Sequence, residues 1–142
     1  MSVTGSCLCG GVRFELTQQP TWAHNCHCSR CRKSRGAPFA SNLFVPIDGV
    51  RFLQGQDQLQ SYKVPEAVRF THVFCRKCGS TMPWRNDSRG VFVVPMGSLD
   101  GDPGIGPRAD IFVESKAPWF TITGDLPQFP EAPDPALRSG SR

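Results

Sequence analysis

Every cysteine in this 142-residue chain falls in one of three tight clusters. These are Cys7-Leu8-Cys9, Cys26-His27-Cys28-Ser29-Arg30-Cys31 and Cys75-Arg76-Lys77-Cys78, which supply two, three and two thiols. The odd total argues against a disulfide framework, whereas the spacing suits metal ligation. Four thiolates close a structural zinc site, and three leave a coordination position open. Any fold this chain adopts must therefore bring at least two of the clusters together.

Composition sharpens that constraint. A chain of this length is one domain with a modest core. Thirteen prolines and fourteen glycines make it rich in turns, and ten phenylalanines with three tryptophans must fill much of the interior. A metal staple helps such a small core most. The start, Met-Ser-Val-Thr-Gly-Ser-Cys, lacks the basic and apolar regions of a secretory signal. The apolar run Val91-Phe92-Val93-Val94 is far too short to cross a bilayer. The expected compartment is the cytoplasm, where disulfides are rare, and no membrane partner is expected. The formal charge of +4 would fall to about +1 with seven thiolates and two zinc ions counted. The basicity thus compensates thiolate charge and does not point to nucleic acid.

Most segments read as short strands. Gly11 to Thr17 alternates, with Val12, Phe14 and Leu16 on one face. Leu43–Val45 and Val50–Leu53 flank Pro46-Ile47-Asp48-Gly49, a hairpin turn signal. Leu59–Val64 and Val68–Cys75 alternate again, Gly90–Pro95 reads as a buried strand, and Ile111–Val113 and Trp119–Ile122 are the last candidates. One short helix is expected from Ser29 to Arg35, with Ser29 as N-cap and Gly36 as the stop. The pattern predicts a mainly β domain over residues 1–130. A flexible, proline-rich tail is expected over 131–142.

Two residues between Cys75 and Cys78 let a tight turn aim both sulfurs at one metal, and Gly79 can take the positive φ such a turn needs. Cys7 and Cys9, placed on a strand, would face the same side about 6.5–7 Å apart at Cα. Each pair is half a site, and together they make a four-cysteine one. Cys26, Cys28 and Cys31 could hold one face of a second ion, with water, substrate or a distant side chain opposite. Arg30, Arg32, Lys33 and Arg35 crowd that segment and could attract an anionic ligand. A rival pairing is a zinc ribbon of Cys28, Cys31, Cys75 and Cys78, and thiolates do not exclude iron. His24, His27 and His72 read better as packed side chains than as ligands.

Three stretches together resemble the glutathione-dependent formaldehyde-activating enzyme family, also called the CENP-V/GFA domain family. They are Gly5-Ser-Cys7-Leu-Cys9-Gly-Gly-Val-Arg-Phe14, Cys26-His-Cys28-Ser-Arg-Cys31-Arg-Lys-Ser-Arg-Gly36 and Phe74-Cys75-Arg-Lys-Cys78-Gly79, followed by Lys116-Ala-Pro-Trp119. The resemblance spans about residues 4 to 130. It implies a β-tent of small stacked antiparallel sheets. It also implies a structural zinc on Cys7, Cys9, Cys75 and Cys78, and a catalytic zinc on Cys26, Cys28 and Cys31. The implied activity joins a thiol such as glutathione to a small aldehyde such as formaldehyde, the work of a carbon–sulfur lyase. Two other functions stay open from the residues alone: a non-catalytic zinc interaction module, and a thiol-based metal or redox sensor.

Overall fold

The structure, a computed structural model, describes residues 2–133. Its elements run β1 Val3–Ser6, β2 Arg13–Leu16, β3 Trp22–Cys26, α1 Ser29–Arg35, β4 Ala40–Pro46, β5 Val50–Gln54, β6 Leu59–Lys63, β7 Thr71–Cys75, β8 Trp84–Asn86, β9 Val91–Pro95 and β10 Asp110–Ile111. Short 3-10 turns fill several of the connections. The strands form three small sheets among the described residues: β1-β2-β5, β10-β3-β4-β9-β8 and β6-β7. All pairings are antiparallel except β10 with β3. The mainly β expectation is met, and α1 is the one α-helix among the described residues.

The five-stranded sheet carries a core on each face. Side chains alternate along a strand, so Leu43 and Val45 of β4 and Phe92 and Val94 of β9 share one core with Phe14 and Leu16 of β2. Phe44 of β4 and Val93 of β9 join Trp22, Ala40 and Ile111 in the other. Val12, Phe14 and Leu16 are buried as their alternation predicted. The run Val91–Pro95 lies between β4 and β8, as a buried apolar strand should.

Several local expectations were wrong. Pro46–Gly49 does turn, with Gly49 N–H donating to the Pro46 carbonyl at 2.7 Å. Its flanking strands do not pair with each other, however: β4 lies between β3 and β9, while β5 pairs with β2. The turn is a corner where the chain changes sheets. β1, β3 and β8 were not expected, because Val-Thr-Gly-Ser, Trp-Ala-His-Asn-Cys and Trp-Arg-Asn carry little apolar alternation. β7 begins only at Thr71, and Val113 lies in a 3-10 turn. Trp119–Ile122 forms no strand; the Phe120 N–H instead turns back to the Ala117 carbonyl at 3.1 Å.

Beyond Asp125 the backbone remains engaged. The Asp110 N–H donates to Pro127, Phe129 N–H to Asp110 and Phe112 N–H to Glu131, each at 2.9 Å. Most of the expected tail, residues 134–142, lies outside the described residues.

At Gly55 two parts of the fold approach closely. Its φ is +77°, and a Cβ there would run into the carbonyl oxygen of Gly11. Gly55→Ala therefore combines left-handed strain of about 1–2 kcal/mol with overpacking against backbone of about 1–3 kcal/mol. Gly90→Ala, with φ +66° but open space around it, should lose only the first amount. Urea denaturation of the two variants should show Gly55→Ala as clearly the less stable; equal midpoints would refute this account of the contact.

Candidate metal centre

The outer cysteine pairs adopt matching turns. Cys7 N–H donates to Val12 O at 3.1 Å and Cys75 N–H to Ser80 O at 3.0 Å, five residues on in each case. Gly10 N–H returns to Cys7 O at 3.0 Å and Gly79 N–H to Cys75 O at 2.7 Å. Gly10 and Gly79 take φ values of +78° and +79°, which an L side chain resists. Cys7 and Cys9 thus sit in a turn, not on the strand their spacing suggested. The turn brings their sulfurs to 3.6 Å, and Cys9 meets Cys75 at 3.9 Å. All four sulfurs of Cys7, Cys9, Cys75 and Cys78 lie within 4.8 Å of one another. Tetrahedral zinc with bonds of about 2.3 Å sets its sulfurs about 3.8 Å apart, so the group fits such an ion.

Hydrogen-bond donors point at these sulfurs. Val12 N–H reaches Cys7 Sγ at 3.2 Å. Ser80 Oγ lies 3.3 Å from Cys78 Sγ and accepts from Leu8 N–H at 2.8 Å, so it ties one turn to the other. The Ser80 hydroxyl and then its backbone N–H pull Cys78 down to about 5. Cys9 stands higher, at about 11: the Gly11 N–H lowers it, but the adjacent Cys7 and the rest of the cluster outweigh that effect.

The central triplet is built differently. Cys26 ends β3, Cys28 caps α1, and Cys31 lies in its first turn. The cap is Cys28 and not Ser29: Cys31 N–H donates to Cys28 Sγ at 3.3 Å. A sulfur anion takes the place of the usual hydroxyl or carboxylate oxygen at a helix start. Gly36 ends the helix in the left-handed region as expected, its N–H on Arg32 O at 2.8 Å. The three sulfurs lie within 4.8 Å of one another, and among the described residues no fourth His, Cys, Asp or Glu ligand joins them. The thiols of Cys26 and Cys31 pull Cys28 down to about 2, and in return Cys28 pushes Cys26 up to about 12. Cys31 is raised by Cys26 and then Cys28. One buried thiolate opposes the next until a cation offsets the charge.

The sulfurs group as four and three, and the zinc-ribbon pairing of Cys28 and Cys31 with Cys75 and Cys78 is not formed. The groups belong to the two cores on opposite faces of the five-stranded sheet: Cys7 and Cys75 pack in one, Cys26 and Cys31 in the other.

The four cations of the central segment part company. Arg30 and Lys33 are exposed. Arg32 spans to backbone, its Nε 3.4 Å from His27 O and its Nη2 3.3 Å from Ser115 O. Arg35 is largely buried, and its Nη2 donates to Asn42 Oδ1 at 2.8 Å. Burial lowers its pKa, and the nearby Cys31 and Cys26 oppose that shift. Arg32, Lys33 and Arg35 also lie in the last turn of α1, where cations suit the helix dipole.

The histidines lie outside both sulfur groups. His24 Nδ1 accepts from Trp22 Nε1 at 2.9 Å. His72 stacks on Phe74, and burial followed by the charge of Arg35 lowers its pKa. His27 is fully buried, with Nε2 2.8 Å from Asp110 Oδ1 and its ring against Phe39 and Phe120. Ser80, Asn42 and Asp110 escaped sequence reasoning. Asp110 did leave a signal, as an acid inside the short apolar stretch Ala109-Asp110-Ile111-Phe112. Phe112 is the one non-glycine residue with positive φ, +55°, among the described residues, and it packs against the core that holds the triplet.

Fold and site together define a mainly β protein with two cysteine groups that could each hold a metal ion. A family model described as "Glutathione-dependent formaldehyde-activating enzyme" matches residues 2–115. The chain belongs to that family. A Halomonas elongata protein named "Putative glutathione-dependent formaldehyde-activating enzyme" is 33% identical over 131 residues, covering 86% of this chain and 82% of the relative. A Podospora anserina protein of the same name is 34% identical over 79 residues, 54% of this chain and 36% of the relative. The crystal structure of a Rhodobacter sphaeroides protein superposes with a TM-score of 0.58 at 26% identity, covering 88% of this chain and 98% of that one.

The His27–Asp110 contact joins the loop of the central triplet to β10. His27→Phe keeps an aromatic ring against Phe39 and Phe120 but leaves the buried Asp110 carboxylate without this partner. The loss should be about 3 kcal/mol or more. Adding Asp110→Asn should recover part of it. Chemical denaturation of the wild type, both single variants and the double variant measures the coupling, and strictly additive losses would contradict it.

Proposed function

We propose that this chain is a zinc-dependent enzyme that joins a thiol such as glutathione to a small aldehyde such as formaldehyde, a carbon–sulfur lyase of the S-hydroxymethylglutathione synthase type. The observation that carries the reading is the three-sulfur group, which lacks a fourth protein ligand among the described residues. Family membership adds glutathione and formaldehyde as the substrates to test.

In this reading Cys7, Cys9, Cys75 and Cys78 hold a structural zinc, and Cys26, Cys28 and Cys31 hold a catalytic one. Bound zinc would supply the positive charge that keeps an incoming thiol deprotonated near neutral pH. Cys26, Cys28 and Cys31 would hold that ion with three anionic sulfurs, which would leave its field weak enough for a substrate sulfur to stay electron-rich. That sulfur adds to the aldehyde carbon and a C–S bond forms. The carbonyl π pair moves to oxygen, and the proton lost by the thiol ends there. Arg30, Arg32, Lys33 and Arg35 contribute a positive field that favours an anionic thiol and the developing oxyanion. No helix among the described residues is long and apolar enough to cross a membrane, and the reaction proposed here belongs in the cytoplasm, where glutathione is abundant.

Substitution separates the two sulfur groups. Cys9→Ser or Cys75→Ser should prevent folding or lower the melting temperature by at least about 10 °C, because structural zinc contributes folding free energy. Cys28→Ser or Cys31→Ser should stay folded with one metal ion fewer. In cobalt-loaded wild type, glutathione should shift the visible bands of one ion, and the Cys28→Ser protein should not respond. If both sets of variants are equally destabilised, the division of labour is wrong. If no thiol perturbs the cobalt spectrum, the thiol reading is wrong.

A further inference from the structure

The sulfur group assigned to structure is the one that meets solvent. Of the seven cysteines, Cys9 alone is exposed. Cys26 and Cys31 of the central triplet are buried, and Cys28 is half-buried. Within the four-sulfur group the other members are covered. Val12 N–H donates to Cys7 Sγ at 3.2 Å, Gln58 Oε1 lies 3.8 Å from Cys75 Sγ, and Ser80 Oγ lies 3.3 Å from Cys78 Sγ. Cys9 has a donor too, the Gly11 N–H, yet it stays open to water. Oxidation of cysteine follows thiolate character and exposure, so these differences rank the seven sulfurs.

The surroundings of the turn admit small polar solutes. Leu8, between the two cysteines, is 87% exposed, so the turn stands clear of the core. Cys7 and Leu8 also wall a cavity of about 430 Å3, to which Ser6, Arg35, Ser80 and Ser98 contribute polar walls. A disulfide needs a second sulfur in reach. Cys7 Sγ lies 3.6 Å from Cys9 Sγ, and Cys75 Sγ lies 3.9 Å from it. Cys7 and Cys9 share one turn, with Gly10 at φ +78° and Gly11 after it, so closing that pair moves one short loop. Closing Cys9 onto Cys75 would move two turns that separate backbone hydrogen bonds hold in place.

We propose that Cys9 is a modification site, oxidised by a hydroperoxide and resolved by Cys7 as a Cys7–Cys9 disulfide. The Cys9 thiolate attacks one peroxide oxygen, the O–O bond breaks and hydroxide leaves, so that Cys9 becomes a sulfenic acid. The Cys7 thiolate then attacks the Cys9 sulfur, the S–S bond forms and a second hydroxide leaves. The two sulfurs together give up two electrons, and the peroxide takes them. Cys75 and Cys78 then remain as the thiolates of the group, too few to close a zinc site. The two turns lose the ion that would link them, while the buried triplet keeps its own. The loss of metal rests on the zinc assignment of the four-sulfur group; the oxidation of Cys9 does not.

The test treats the zinc-loaded protein with hydrogen peroxide and follows free zinc with a chromogenic chelator. Samples taken over time are quenched with catalase, alkylated with N-ethylmaleimide in denaturant and digested with trypsin, which separates residues 1–13, 14–30 and 70–76. The 1–13 peptide should lose two hydrogen atoms first, in step with release of one zinc of the two, while the 14–30 peptide stays fully alkylated. Dimedone, which traps sulfenic acids, should label Cys9 and prevent the disulfide. Dithiothreitol with added zinc should restore the starting state. The proposal is overturned if the 14–30 peptide oxidises first, if dimedone labels another cysteine in place of Cys9, or if the first disulfide joins the 1–13 peptide to 70–76. A different pattern would sink the zinc assignment alone and support the Cys9 site: the 1–13 peptide forms its internal disulfide, yet no zinc is released with it.

Discussion

The meeting of two cysteine turns, with Cys9 and Cys75 separated by 66 residues yet 3.9 Å apart at sulfur, is the constraint on which the rest of this structure hangs. Each turn is locally self-sufficient, closed by its own backbone hydrogen bonds and one left-handed glycine. Bringing the two together closes a long loop, and the entropic cost of closure grows only slowly with its length. The harder problem is charge. Thiolates about 4 Å apart repel by about 4 kcal/mol per pair at an effective dielectric constant of 20, so the arrangement suits a divalent cation among them. Gln58 backs the junction: Cys75 Sγ reaches its Oε1 at 3.8 Å, Arg76 N–H its carbonyl at 2.9 Å, and its side chain lies over Gly11.

That junction feeds one core, while the central triplet belongs to the other. The alternation of β4 and β9 sends neighbouring residues to opposite faces of one sheet, so both cores share a scaffold but not side chains. The four-sulfur group draws two turns that are far apart in sequence together, while the three-sulfur group is braced by α1 and the His27–Asp110 contact.

Much of this was legible in the chain, and the misses share a cause. The helix over Ser29–Arg35 and the buried strand near Val91 follow from local spacing and composition, whereas spacing left the sulfur grouping with a zinc-ribbon rival and the family resemblance implied the four and three; the structure contains all three. The strands β1, β3 and β8 were missed because their pairing partners, not their own sequences, make them strands. The Asp48-Gly49 signal foretold a turn but not which sheets its arms would join, since register is decided by the core on each face. The spacing of Cys7 and Cys9 allows either a strand or a turn, and only the Gly10-Gly11 pair favours the turn that forms. The basic run around Cys31 was visible as composition, whereas the singular position of Arg35 depends on Asn42 and on loops that close a cavity from elsewhere in the chain.

Charge explains why the two sulfur groups would behave differently once each held a divalent ion. Four thiolates around such an ion leave a net charge of about −2, spread over sulfurs that accept from Val12 N–H and lie beside Ser80. Three leave about −1, and the guanidinium of Arg35 one helical turn away brings that near zero. A neutral assembly can admit one more anion without the repulsion that a second negative charge would meet. Arg35 would thereby offset part of the thiolate charge that surrounds the ion. Moving the same positive charge to the exposed positions of Arg30 or Lys33 would place it in water, where screening leaves little of that effect.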